Sequence, residues 1–221
     1  MIPLNTFDIV FNIRVNSSSS GTCFTVPHDK KKYLITARHI LPNIEQSQLF
    51  IEIETKKGWI KIDFENLIFP KTPSVDIVAI QLPNTIPDGV RFVTFDYTTE
   101  GIKLLEDAFF LGYPYGLKNY GINNGRGNAL VKKGLISGDA YDDNSTFIGF
   151  ILDGHNNPGF SGGPVLTKGS DGRWKIFAVI SSYITQQEIL YDKDQRERMI
   201  LKENSGLINC HSIDFIIKEL L

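Results

Sequence analysis

Ser161 sits inside the tightest cluster of turn formers in the chain, Asn156-Asn157-Pro158-Gly159-Phe160-Ser161-Gly162-Gly163-Pro164. Gly159, Gly162 and Gly163 carry no side chain, so backbone and a bound molecule can approach closely there. In such a turn the N–H groups of Gly159 and Ser161 can converge on one point and stabilise a developing oxyanion. Alone, the segment reads equally as a surface turn. His39 ends the run Tyr33-Leu34-Ile35-Thr36-Ala37-Arg38-His39, and an imidazole accepts a proton near neutral pH. Asp76 lies among Val75, Ile77, Val78, Ala79 and Ile80. A carboxylate in such company is costly to bury without a partner. Each also has an ordinary reading, as a structural histidine and a strand-start aspartate. As a set they supply a nucleophile, a base and an acid that fixes the tautomer of the base. Their order is His, Asp, Ser, with separations of 37 and 85 residues.

Positioning such a set requires a scaffold, and the chain reads as many short strands separated by turns. Strand candidates in the first half are Phe7 to Val15, Gly21 to Val26, Lys32 to Thr36, Leu49 to Thr55, Trp59 to Ile62 and Val75 to Leu82. Within Leu49 to Thr55, Phe50 and Glu52 share one face and Ile51 and Ile53 the other. Residues 83–101, with two prolines and two glycines, read as a connection, and Phe92, Phe95 and Tyr97 suggest that it packs down. The second half offers Ala108 to Leu111, Gly127 to Leu135, Phe147 to Leu152, Gly163 to Leu166, Trp174 to Ser181 and Leu207 to Cys210. Residues 188–202 are charged and read as a helix or a long decorated loop. At the C-terminus Ser212 can cap a short helix. Its apolar stripe would be Ile213, Ile216, Ile217, Leu220 and Leu221. The expectation is an all-β chain: residues 1–90 carry His39 and Asp76, and residues 91–221 carry Ser161, with a C-terminal helix at 212–221.

The chain has 221 residues and a formal net charge of -2, with a sequence pI of about 6.1. That balance gives no general signal for nucleic acid or an anionic membrane. No apolar run is long enough to span a bilayer. The N-terminus lacks a basic start followed by an apolar stretch, so a cytoplasmic location is the expectation. Two cysteines, Cys23 and Cys210, do not suggest a disulfide-stapled scaffold. No CxxC pair or HExxH sequence suggests zinc, and no metal or organic cofactor is expected.

The set resembles the chymotrypsin/trypsin-like serine protease clan, closest to its disulfide-poor, HtrA-like branch. The family pattern Gly-Asn/Asp-Ser-Gly-Gly-Pro is Gly159-Phe160-Ser161-Gly162-Gly163-Pro164 here. Thr-Ala-Ala-His is Thr36-Ala37-Arg38-His39, and Asp-Ile/Leu-Ala-Leu/Val is Asp76-Ile77-Val78-Ala79. Gly21-Thr22-Cys23-Phe24, Leu111-Gly112-Tyr113-Pro114-Tyr115-Gly116 and Lys133-Gly134-Leu135-Ile136-Ser137-Gly138 resemble further family segments. The resemblance implies two antiparallel six-stranded β-barrels with the cleft between them. It also implies a serine endopeptidase in which Ser161 attacks, His39 is the base, Asp76 orients it, and Gly159 and Ser161 form the oxyanion hole.

Three departures stand out. Phe160 replaces a residue that is aspartate in zymogen-activated relatives, where it pairs with a freshly cut N-terminus. Its bulk beside the oxyanion hole leaves room for an altered hole. Arg38 replaces a small residue and reads as facing solvent. Cys23 lacks the usual half-cystine partner, because Ile40 occupies that position, so it reads as a free buried thiol. The family register places His155 near the base of the primary pocket, Ser181, Ser182 and Tyr183 along one wall, and His211 opposite. His155 or His211 would then favour a polar or acidic side chain; equally, His155 satisfies loop polar groups. Residues 184–205 read as a gate or as a solvated face. The expected partners are a polypeptide substrate and a regulatory protein, with no nucleic acid and no membrane. The alternative is a catalytically silent protease fold used for binding or scaffolding. A Gly-x-Ser-x-Gly hydrolase is disfavoured by the His-first order and the missing βαβ context.

Overall fold

The structure, a computed structural model, describes residues 2–17, 19–42, 45–120, 128–191 and 197–220. A single helical turn, α1 (Thr6–Ile9), leads into β1 (Val10–Val15), so the segment expected to be extended from Phe7 begins later. β2 (Ser19–His28) and β3 (Lys31–Thr36) form a hairpin over the two expected strands. Its loop is turned by Asp29 at φ 52°, a residue type that tolerates the left-handed region. β4 (Ile51–Thr55), β5 (Gly58–Ile62), β6 (Asn66–Ile68) and β7 (Val78–Leu82) complete a sheet ordered β5-β4-β1-β2-β3-β7-β6. Its edge strands β5 and β6 are consecutive in the chain, so residues 63–65 link the two ends.

The second sheet contains β8 (Asp96–Tyr97), β9 (Asp107–Gly112), β10 (Leu130–Tyr141), β11 (Phe147–Asp153), β12 (Pro164–Lys168), β13 (Trp174–Tyr191) and β14 (Glu197–Ser212). Strands β9, β10, β11, β14, β13 and β12 close into a ring, because β12 pairs with both β9 and β13. The short β8 adds in parallel to β13. The all-β, chymotrypsin-like double-barrel architecture is therefore present, with one short extra strand on each six-stranded set.

Period-two alternation explains why the strands are apolar on both faces. Along β1 to β3, Phe11, Ile13, Cys23 and Leu34 fill the interior of the first barrel. Their neighbours Val10, Phe24, Tyr33 and Ile35 join Leu111, Tyr113, Leu166 and Val179 of the second sheet in a shared core. Phe110, Phe150, Phe160 and Phe177 fill the second barrel. Burial of both faces thus holds the two barrels against each other, which fixes the cleft between them. The connection at residues 83–101 packs down as expected, with Phe92 on the first core and Phe95 and Tyr97 on the shared one. Both cysteines are buried and stand outside any disulfide.

Three local expectations need correction. Residues 188–191 and 197–202 are neither helix nor loop: they are paired parts of β13 and β14. Ile189 pairs with Ile200 and Leu190 with Met199. The apolar residues are therefore partners across two strands instead of stacked along a helix face. Residues 192–196 lie outside the described residues. The C-terminal helix α2 is shorter than 212–221, spanning Asp214–Ile217, and Ser212 still belongs to β14. Ile213 and Ile216 are buried as expected, while Leu221, like Gly127 at the start of an expected strand, lies outside the described residues. Finally, β7 begins at Val78. Residues 75–77 stay out of the ladder, which frees the Asp76 backbone for other partners. No helix among the described residues is long and apolar enough to cross a membrane.

Candidate active site

His39 lies in a 3-10 turn (Arg38–Ile40) that ends β3, and Asp76 lies just before β7, the neighbour of β3. Strand pairing therefore brings the two together. The His39 Nδ1 atom is 2.7 Å from Asp76 Oδ2, and the His39 backbone N–H donates to Asp76 Oδ1 at 2.9 Å. The Ser181 hydroxyl donates to Oδ2 as well, at 2.6 Å. Behind Asp76, its backbone N–H donates to Nδ1 of buried His211 at 2.8 Å. Burial pushes the Asp76 carboxyl pKa up, but the hydrogen bonds from His39 and Ser181 and the charge of His39 outweigh it. The net result lies below the ordinary aspartate range. An ionised carboxylate only accepts hydrogen bonds, so His39 Nδ1 carries its proton toward Asp76 and Nε2 is left as the open lone pair.

Ser161 comes from the second barrel. Asn157, Pro158, Gly159 and Phe160 form a tight turn in which the Phe160 N–H donates to the Asn157 carbonyl at 3.2 Å. Gly159 has φ 105°, the left-handed region that a type II turn demands at its third residue. Gly162, at φ 83°, also has no room for a Cβ against Thr22 and Thr36. Among the described residues neither the Gly159 nor the Ser161 N–H meets an acceptor. Strand β2 of the first barrel docks on this turn. The Thr22 N–H donates to the Ser161 carbonyl at 2.8 Å. The Thr22 hydroxyl donates to the Gly159 carbonyl at 2.6 Å and accepts from the Tyr113 N–H at 3.1 Å. The Ser161 hydroxyl itself donates to the Ser181 carbonyl at 3.1 Å.

Phe160 does not crowd these N–H groups. It is fully buried and packs edge-on against Phe110, with ring centroids 5.1 Å apart. The aspartate of zymogen-activated relatives is thus replaced here by a core residue. Arg38 is exposed, as expected, and lies over the Phe69 ring.

His39 and Ser161 line one cleft of about 350 Å³, together with Asn156, Asn157, Pro158, Ser181, Ser182, Tyr183 and Thr185. Three residues expected at the pocket wall, Ser181, Ser182 and Tyr183, are therefore there. The other two are placed elsewhere. His155 is exposed and uses its carbonyl to accept from Lys132 Nζ at 2.7 Å. His211 is buried behind Asp76 because β14 carries it to the barrel interface, away from the cleft. Sequence reasoning missed Thr22, Thr185 and the Asn156–Pro158 wall. Thr22 was visible only as one letter of a family-like segment, since its role depends on the approach of the other barrel. Among the described residues no cluster of His, Cys, Asp and Glu could hold a metal ion.

The solved structures similar to this chain include the active form of the Rv3671c protease from M. tuberculosis. It is 16% identical with a TM-score of 0.62, and the match covers 97% of this chain and 80% of that one. The inactive form gives 16% identity and a TM-score of 0.60, covering 97% of this chain and 88% of that one. The HtrA-type protease AlgW with tripeptide is 15% identical with a TM-score of 0.59; 96% of this chain matches 58% of that one. Identities this low carry the fold alone. No curated protein matches in sequence. The model of the trypsin-like peptidase domain matches residues 21–174, a span that holds His39, Asp76 and Ser161, and by that match the chain belongs to the trypsin-like peptidase family.

Proposed function

We propose that the chain is a serine endopeptidase that cleaves polypeptides through an acyl-enzyme on Ser161. The observation that carries this reading is the 2.7 Å contact of His39 Nδ1 with Asp76 in a cleft that His39 shares with Ser161. The Asp76 contact commits Nδ1 as donor, so Nε2 is free to take the Ser161 proton. For this the Ser161 hydroxyl must leave the Ser181 carbonyl, a small rotation of the kind that substrate binding completes. Ser161 Oγ then bonds to the scissile carbonyl carbon. The N–H groups of Gly159 and Ser161, which meet no acceptor among the described residues, stabilise the oxyanion. His39 delivers its proton to the leaving amine, and water repeats the sequence to release the acid. The steps use only protein groups and water. Beside His39, the cleft is lined by Asn156, Asn157, Pro158, Ser181, Ser182, Tyr183 and Thr185, with no carboxylate, lysine or arginine among the described residues, which suits a small, uncharged side chain.

A fluorophosphonate probe tests this directly. Wild type should be labelled on Ser161, and the Ser161→Ala variant should not. The bond from Ser161 to Ser181, in place of one to His39, favours a second reading, a catalytically silent binding protein. Failure of the folded wild type to label would select that reading.

A further inference from the structure

The alternation of β10 puts Leu130, Lys132, Gly134 and Ile136 on one face. Leu130 and Ile136 pack on the interior of the second barrel, so Lys132 is a cation in an apolar row. Its Nζ reaches the segment that precedes Ser161. It donates to the His155 carbonyl at 2.7 Å and to Asn157 Oδ1 at 2.6 Å. It also stands over the Phe160 ring, 5.5 Å from the centroid. Among the described residues no carboxylate pairs with it. By contrast, neighbouring Lys133 points out and pairs with Asp107 at 2.9 Å.

Asn157 is the first corner of the turn that the Phe160 N–H closes, and Phe160 is its last. Lys132 therefore touches both ends of the turn that carries Gly159. Thr22 holds the same turn from the first barrel. With apolar Phe160 in place, no side-chain charge at the position before the serine can anchor the turn. The ammonium of Lys132 supplies the charge from the neighbouring strand instead. Burial pushes its pKa down, as desolvation of an ammonium must. Hydrogen bonds from a charged donor are stronger than neutral ones, which suits them to holding a loop.

We propose that Lys132 is a positioning residue that pins residues 155–160 so that the N–H groups of Gly159 and Ser161 face the cleft. This rests on the reading of Ser161 as nucleophile. Lys132 does not line the cleft and touches no reacting atom.

Two measurements test it on the full chain, using wild type, Lys132→Met, Lys132→Arg and, as a control for lost surface charge, Lys133→Met. The first is the rate of fluorophosphonate labelling at saturating probe. Lys132→Met should slow it by at least about tenfold without changing the half-saturating probe concentration. Lys132→Arg, which keeps charge and donors, should recover to within about threefold of wild type. Lys133→Met should stay within about twofold. The second is amide hydrogen exchange, which needs no active serine. The Phe160 amide should exchange at least about tenfold faster in Lys132→Met, with amides of β1 unchanged. Exchange within about twofold of wild type overturns the tether whatever the labelling does. Faster exchange with unchanged labelling overturns the positioning role. If wild type does not label but exchange rises, the nucleophile reading falls and the tether stands.

Discussion

Thr22 of the first barrel holds Ser161 of the second by the main chain, its N–H donating to the Ser161 carbonyl at 2.8 Å. The hydroxyl of the same residue secures the Gly159 carbonyl and the Tyr113 N–H. The placement of Ser161 against the first barrel, which carries His39, therefore rests on one threonine as well as on the apolar core between the barrels.

Replacing Thr22 by valine keeps the shape and the backbone bond but strands the Gly159 carbonyl that the hydroxyl served. Leaving such a group unpaired costs about 1–3 kcal/mol. Urea unfolding should show that loss for Thr22→Val, and labelling of Ser161 should slow by roughly tenfold as the turn loosens. Wild-type labelling with the full stability loss would show that the hydroxyl serves the fold alone.

Asp76→Asn keeps the size of the side chain and reverses its hydrogen-bond preference at one atom. An amide N–H facing His39 Nδ1 would draw the proton of the imidazole to Nε2, where it blocks the base. If His39 is the base of the proposed mechanism, the change should lower kcat by about 10⁴-fold. Turnover of a peptide substrate by the folded variant measures it. Near-normal turnover would remove Asp76 from the mechanism and leave it a structural role.

Much of this site was legible in the residues. Gly159, Gly162 and the prolines around Ser161 announce a constrained turn, and apolar β3 and β7 explain why His39 and Asp76 meet. What could not be read depends on distant contacts. His211 looks like a pocket residue by register, yet its partner is the backbone of Asp76, 135 positions away. Lys132 falls on the inward face of β10 by simple alternation, but only the folded loop at His155 and Asn157 shows what its charge is for. The 188–202 segment failed for another reason. Its charges mimic an exposed helix, and only pairing of Ile189 with Ile200 shows two strands. Phe160 looked like an obstruction because its neighbours are catalytic in the family, whereas its ring turns into the barrel core.

The environment of His211 sets an acid limit on stability. Burial pushes its pKa down, Asp76 pushes it partly back up, and His39 pushes it down again. The unfolded chain therefore binds the proton more readily than the folded one. The contribution of His211 is complete above the ordinary imidazole range of about pH 6.5 and is lost as pH falls through that range. Asp76, also depressed, gives up its own contribution at lower pH, as acidity passes the usual carboxylate range near about pH 4 and then the lower folded-state pKa. Unfolding midpoints in urea at fixed salt should thus fall first as pH drops below about 6.5. Glutamine at position 211 can still accept the Asp76 N–H but does not titrate. His211→Gln should flatten that first limb and leave the more acidic one. An unchanged first limb would assign it to another group.

Phe160 and Gly112 test whether the buried ring and the turn are one packing unit. A Cβ built on Gly112 would lie 2.6 Å from Phe160 Cδ1, and 2.9 Å from both Phe160 Cα and the Thr22 hydroxyl oxygen. Gly112→Ala should therefore overpack the site and cost about 1–3 kcal/mol. Phe160→Ala should leave a cavity beside Phe110 and cost about 3–5 kcal/mol. In the double variant the ring contact is gone, but the Phe160 backbone and Thr22 still crowd the new methyl. The two losses should therefore fall short of additivity by about 0.5–3 kcal/mol without full rescue. Denaturant unfolding of the four proteins gives the coupling directly. Strict additivity would mean that Gly112 is needed for the backbone and Thr22 alone, so that the ring of Phe160 has no part in shaping the turn from which Ser161 projects.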